Sequence, residues 1–181
     1  SPDHCVVPAA SGELHTKIWK GLSEMADVGL IDTPKTKMHL VQPEGCSPIV
    51  EAFEQNETQV RPIKPDTIAK SLAIGNPASG PYSLQTLYRT SGVAVASLEE
   101  KVTQGISMLA ETEGIFTETA GGVVVSGLKE LVDRGLIKPE EITVAYITGN
   151  GFKTVEVVQD LAKPVTTTAD YRSAQQVLKL I

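Results

Sequence analysis

Apolar and polar positions change period several times along the chain, and those changes mark the elements. A short apolar run, Cys5–Val7, reads as a strand entered almost at the first residue. Beyond Pro8-Ala9-Ala10-Ser11-Gly12, apolar residues recur at Leu14, Ile18, Leu22 and Met25, a spacing that falls on one helix face. Gly29 is placed to cap that helix. A second strand is predicted over Met38–Val41. Ser47-Pro48 then opens a helix, with Ser as cap, Pro at the first position, and Ile49, Val50 and Phe53 as the apolar face. The polar stretch from Asn56 to Pro65 is a surface excursion, and a short helix is predicted around Ile68–Ala73. The breaker-rich run from Gly75 to Pro81 has to be an irregular loop. A helix over Leu84–Arg89 precedes a third strand, Gly92–Val95. Ser97 and Glu100 have capping-box spacing, opening a helix with Leu98, Val102, Ile106 and Leu109 on one face and Gly114 at its end. A helix from about Gly121 to Arg134 stops at Gly135, and a fourth strand spans Ile142–Ile147. Thr148-Gly149-Asn150-Gly151 follows, and the remainder to Ile181 reads as a short polar helix or coil.

Strands that alternate with helical segments predict an α/β fold, a mostly parallel sheet with helices on both faces. In such sheets ligands bind beyond the carboxyl ends of the strands, which singles out two loops. Pro8–Leu14 is a strand-to-helix turn of small residues, where backbone can approach an anion and a helix N-terminus offers free N–H groups. A plain tight turn capped by Ser11 or Gly12 has the same spacing, and Glu13 would have to point away from any phosphate. Thr148-Gly149-Asn150-Gly151 places a hydroxyl at a strand end beside two conformationally free glycines, and a simple turn fits it equally.

Composition narrows the classes. The chain has 181 residues, 16 basic and 22 acidic, a net charge of −6, and 41% hydrophobic residues, enough for a core. That balance excludes a basic nucleic-acid binder and a disordered chain, and no apolar run reaches bilayer length. Only Cys5 and Cys46 are present, so neither a disulfide framework nor a structural zinc site is expected. A cytoplasmic globular protein is the expectation. His4, His15 and His39 lack partners at ligand spacing and Trp19 sits beside an apolar face, so all four read as structural. Cys46 heads a helix, where a thiolate is favoured, but no His is placed to activate it. The chain opens Ser1-Pro2-Asp3 with no initiator Met and no signal peptide, which suggests the C-terminal part of a longer protein.

Five segments in order carry a resemblance: Val6–Gly12, Gln42-Pro43-Glu44-Gly45-Cys46-Ser47-Pro48-Ile49-Val50, Ser71–Ser79 with its Ile74-Gly75-Asn76-Pro77-Ala78-Ser79 core, Glu113–Ala120, and Thr148–Lys153. Together they resemble the C-terminal half of the threonine synthase family, pyridoxal-phosphate enzymes of fold type II. The likeness runs to about Thr154, and Ile74–Ser79 is its most specific piece. It implies that residues 1–154 are the C-terminal part of the large, cofactor-binding domain and that 155–181 form a tail.

The resemblance implies roles for particular residues. Pyridoxal 5'-phosphate is the implied cofactor. Its phosphate would be cradled by Ala10, Ser11, Gly12, Glu13 and Leu14, and its ring nitrogen would be met by the Thr148 hydroxyl. A neutral partner leaves that nitrogen unprotonated and moderates the electron sink. The implied activity is that of a lyase in threonine biosynthesis, converting O-phospho-L-homoserine and water to L-threonine and phosphate. A homodimer is implied, with a phosphorylated amino acid as substrate and no nucleic acid, membrane or metal. Two departures stand out: the family loop is richer in Gly and Asn than Ala9–Glu13, and Thr119 stands where the family usually has Pro. The family's Schiff-base lysine lies upstream of the phosphate loop. None of the twelve lysines here occupies its motif, so no catalytic residue is assigned, the N-terminal half is an expected partner, and the chain alone is expected to be inactive. A cysteate synthase, another fold type II enzyme, or a non-catalytic binding module are the alternatives.

Overall fold

Runs of consecutive apolar residues in the strands build a sheet buried on both sides. In a computed structural model that describes residues 1–159 and 166–178, β1 (His4–Pro8), β2 (Lys37–Pro43), β3 (Ala94–Ser97) and β4 (Thr143–Ala145) lie in the order β3-β2-β1-β4. Every pairing is parallel, with Cys5 opposite Met38, Val7 opposite Leu40, and Leu40 opposite Ala94. These residues face one side, while Val6, Val41 and Val95 face the other. A parallel sheet needs cover on both faces, and helices supply it.

The first face is covered by α1 (Glu13–Asp27), α2 (Pro48–Glu54) and α3 (Gly80–Thr90). Ile18, Trp19 and Leu22 pack on Cys5, Val7 and Met38, while Ile49, Val50, Leu84 and Leu87 pack on Leu40 and Ala94. The second face is covered by α5 (Thr119–Asp133), whose Val123, Val124 and Leu131 meet Val6, Val41 and Val95. Helix α4 (Glu99–Glu113) lies along α5 at backbone contact, because a Cβ on Gly105 would collide with the Gly122 carbonyl. Helix α6 (Tyr171–Leu178) buries no residue. The rest of the tail reading, residues 160–165 and 179–181, lies outside the described residues.

Local expectations give way where a distant partner competes. Leu14 and Met25 are 42% and 39% exposed, and the most buried residue of α1 is His15, so the buried stripe is rotated about the axis. Ser47 does not cap α2; its hydroxyl donates to the Glu44 carbonyl at 3.1 Å. The Gln42 Oε1 takes that role from β2, accepting from Ile49 N at 2.9 Å and Val50 N at 3.3 Å. The Ser97–Glu100 capping box is not formed either. Ser97 ends β3, Leu98 occupies the cap position, and the neighbouring Glu99 accepts from Gly45 N at 3.2 Å and Ile68 N at 3.0 Å. Around Ile68 there is one 3-10 turn, Lys70–Leu72. Helix α3 starts at Gly80, inside the predicted loop, and β4 ends at Ala145.

Candidate functional site

Because all strands are parallel, their carboxyl ends share one edge, where the returning helices begin. At that edge the turn after β1 enters α1 through Gly12, with φ +88°. A left-handed residue suits glycine, and here space demands it too. A Cβ on Gly12 would lie 3.0 Å from the Ser79 carbonyl oxygen and would collide with the Ser83 hydroxyl.

The start of α3 buttresses this turn. Ser79 N donates to the Ser11 carbonyl at 2.9 Å, and Ser83 Oγ donates to the Gly12 carbonyl at 3.2 Å. The Ser79 hydroxyl donates to the Glu13 carboxylate, which also faces Lys17 Nζ at 3.7 Å. Glu13 thus has partners of its own beside the turn. Ala10 and Ser11 are half-buried, Gly12 is buried, and Glu13 and Leu14 are exposed, so Leu14 can offer only its amide to a ligand. The first-turn amides of α1 have no carbonyl partner within the helix, and the helix dipole adds positive potential there. Backbone donors at a glycine-bent helix entry are suited to a phosphate.

Next to it, the segment after β4 leaves the sheet beside β1: Tyr146 N donates to the Val6 carbonyl at 3.0 Å, one residue beyond the strand. Thr148 is half-buried and lies in the connecting turn, because β4 closes at Ala145, two residues before its apolar run ends at Ile147. Gly149 has φ +80°. Thr117 Oγ1 donates to the Gly149 carbonyl at 3.2 Å, Thr117 bridges Asn150, and Gly151 N donates to the Phe116 carbonyl at 3.0 Å. The fold therefore puts residues 10–14 and Thr148 on adjoining loops of one edge.

Sequence reasoning missed Gln42, Ser79, Ser83 and Glu118 as supports of this edge. Gln42 is fully buried, and its Nε2 donates to the Ala9 carbonyl at 3.3 Å, tying the β1 turn to the head of α2. Gln42, Ser79 and Glu118 all lay in the segments that carried the resemblance, but side-chain partners 33 or more residues away leave no local pattern. Ser97 Oγ and Thr119 Oγ1, at the end of β3 and in the first turn of α5, are buried without partners among the described residues.

The other reactive side chains are structural. Burial pushes the Cys46 thiol up, and Cys46 is fully buried. His39 Nδ1 accepts from Val93 N at 3.1 Å, which leaves its Nε2 proton for His4 Nδ1 at 2.9 Å, and His4 Nε2 then faces Glu141 at 3.1 Å. Burial, followed by the neighbouring His4, holds His39 down at about 4. No group of His, Cys, Asp and Glu among the described residues could hold a metal ion. Among the same residues no helix is long and apolar enough to cross a membrane.

A parallel α/β sheet with a glycine-bent helix entry at its carboxyl edge places the chain among the α/β folds that bind ligands at that edge. The model of the family described as "Pyridoxal-phosphate dependent enzyme" matches residues 1–149, and the chain belongs to that family. Its cofactor is pyridoxal 5'-phosphate. The chain is 35% identical over 180 residues to a threonine synthase of Methanocaldococcus jannaschii, covering 98% of this chain and 44% of that protein. It is 33% identical to a threonine synthase of Methanosarcina acetivorans, covering 91% of this chain and 41% of that one. The chain thus spans less than half the length of these relatives. A fungal L-serine ammonia-lyase from Rhizomucor miehei superposes with a TM-score of 0.66 at 21% identity, covering 88% of this chain and 50% of its own. Threonine deaminase isoform 2 from Solanum lycopersicum superposes at 0.61 with 17% identity, covering 90% and 45%. These neighbours share the fold type II architecture.

Proposed function

We propose that this chain is the C-terminal part of a threonine synthase, a lyase that converts O-phospho-L-homoserine and water to L-threonine and phosphate. The observation that carries this reading is where the most specific segment of the resemblance sits. Its last residue, Ser79, is docked on the turn after β1, with its amide on Ser11 and its hydroxyl on Glu13. The residues present fit a phosphorylated cofactor. Gly12 bends the turn where a Cβ would collide with Ser83 and crowd the Ser79 carbonyl, and the amides of residues 10–14 lie at the entry to a 15-residue helix. Pyridoxal 5'-phosphate, when bound, supplies a conjugated ring that withdraws electrons from substrate carbon.

This chain's own residues bind and orient. The backbone of Ala10, Ser11, Gly12, Glu13 and Leu14 holds the phosphate, with the side chains of Ser79 and Ser83 keeping the turn in place. The Thr148 hydroxyl meets the ring nitrogen and, being neutral, leaves it unprotonated. Glu13, occupied by Ser79 and Lys17, is kept from opposing the phosphate. Residues 1–154 belong to the large domain and 155–181 to its tail. The nucleophilic lysine and most of the substrate-phosphate contacts come from the N-terminal half, so the chain alone is inactive. The working enzyme is a cytoplasmic homodimer.

The test is substrate competition on the enzyme that contains this chain. O-phospho-L-homoserine is expected to yield threonine and phosphate in equal amounts. Turnover of O-phospho-L-serine with sulfite, and none of O-phospho-L-homoserine, would replace this reading with a cysteate synthase.

A further inference from the structure

The turn that holds Thr148 is fastened by a buried carboxylate for which the proposed chemistry has no use. Glu118 stands at the N-cap position of α5, with no side-chain bond to the helix amides, and is 4% exposed. The backbone of Gly149 lies flat against it: a Cβ there would fall 2.6 Å from the Glu118 carboxyl carbon. With φ +80°, position 149 is closed to ordinary side chains by conformation as well as by space. Lys153 reaches over from the same loop, its Nζ 3.2 Å from Oε2 and 3.4 Å from Oε1. Its side chain is 62% exposed, so the ammonium stays hydrated while it neutralises a carboxylate that is not. The α5 dipole favours the negative charge at this end of the helix. Thr117 and Phe116 bond the same loop through the Gly149 carbonyl and the Gly151 amide. The loop is therefore gripped on its glycine, immediately after Thr148, and again at its far end.

We propose that Glu118 and Lys153 are a positioning pair: their ion pair across Gly149 fixes the turn that carries Thr148, and so fixes where its hydroxyl lies for the ring nitrogen. The inference rests on the assignment of Thr148 made above. A carboxylate buried without its cation is costly, so loss of Lys153 is expected to loosen the Glu118 contact with the turn.

The experiment compares Lys153→Met, Lys153→Arg, Glu118→Gln and Thr148→Val in the enzyme that contains this chain. Thermal melting establishes that each variant is folded, and because Lys153 is mostly exposed its variants serve if Glu118→Gln does not fold. Two readouts are independent of turnover: amide exchange of residues 149–151 in the cofactor-free enzyme, and the absorbance spectrum of bound pyridoxal phosphate. In Lys153→Met, exchange at Gly151 is expected to quicken at least tenfold. The cofactor spectrum is expected to shift in the direction seen for Thr148→Val, kcat to fall at least tenfold with KM within threefold, and Lys153→Arg to restore all of these. Unchanged exchange and spectrum in Lys153→Met, beside a shifted spectrum in Thr148→Val, would overturn the pair and leave Thr148 standing. An unshifted spectrum in Thr148→Val would remove the Thr148 assignment and the inference with it.

Discussion

Replacing Gly12 by alanine isolates the phosphate turn with the smallest possible change. The native φ of +88° lies in the left-handed region, where a Cβ costs roughly 1–2 kcal/mol. That Cβ also occupies the place of the Ser83 hydroxyl, which must rotate away and give up its bond to the Gly12 carbonyl. A neutral hydrogen bond contributes about 0.5–1.5 kcal/mol net. The two effects sum to about 1.5–3.5 kcal/mol if the turn stays put. If the turn moves instead, strain is relieved at the expense of an amide aimed at the phosphate. A hydrogen bond to a charged group is worth about 1.5–3 kcal/mol, and each ~1.4 kcal/mol is a factor of ten in affinity. Gly12→Ala is therefore expected to lose either stability or at least tenfold in cofactor affinity. Urea unfolding of the cofactor-free enzyme reads the first, and titration with pyridoxal phosphate reads the second. In a Ser83→Ala background the bond to the Gly12 carbonyl is already gone, so Gly12→Ala there should cost only the φ part, roughly 1–2 kcal/mol. A Gly12→Ala enzyme with wild-type stability and a Kd within twofold of wild type would refute the reasoning. Lost stability with unchanged Kd would mean that the turn stays put and carries the strain.

Two more predictions concern the supports of the fold. Gln42→Leu leaves Ile49 N, Val50 N and the Ala9 carbonyl short of their side-chain partner. At about 1–3 kcal/mol for each buried group left unsatisfied, with some sharing, a loss of about 3 kcal/mol in urea unfolding is expected, and less than ~1 kcal/mol would mean the cap carries little. Burial lowers His15 to about 4, and burial together with its charged neighbours lowers His39 to about 4. Their unfolded value is near 6.5, so between these limits the unfolded chain binds more protons and stability falls as pH drops from about 6.5 to about 4. Urea midpoints at pH 7.5, 6 and 5 should decline in that order, and a flat profile would show that the two imidazoles are not held neutral.

The alternation of apolar runs and helical stripes was enough to anticipate a parallel sheet covered on both faces, because burial on two sides leaves an unmistakable pattern. The runs Cys5–Val7 and Met38–Val41 fall inside β1 and β2, and Gly29, Gly114 and Gly135 end their helices or turns with positive φ as expected of glycine there. What failed was local capping. Ser47 and Ser97 had the right neighbours in sequence, yet Gln42 took the first helix head and Glu99 turned to the Gly45 and Ile68 amides. A capping rule describes the competition between a side chain and water near one helix end. It does not include acceptors delivered from an adjoining strand, where the rigid sheet has already met the entropy of placing them.

The candidate site divides along the same physical line. The place of residues 10–14 was legible because a strand-to-helix turn in a parallel sheet falls at the carboxyl edge, and the fold puts them there. The part of Thr148 that was legible is its hydroxyl and its glycine neighbour; its setting was not. An apolar run to Ile147 suggested a strand end, but β1 pairs with β4 only through Ala145, so the hydroxyl is presented by a turn whose shape is set elsewhere. The setting comes from Glu118, 31 residues upstream of Gly149, and a carboxylate at a helix head ordinarily reads as a favourable first-turn charge and nothing more. Only when the glycine backbone is seen against that carboxylate, with Lys153 closing over both, does the charge acquire a second task. Sequence periodicity can place an element, but how firmly a side chain beside it is held depends on contacts between segments with no common period.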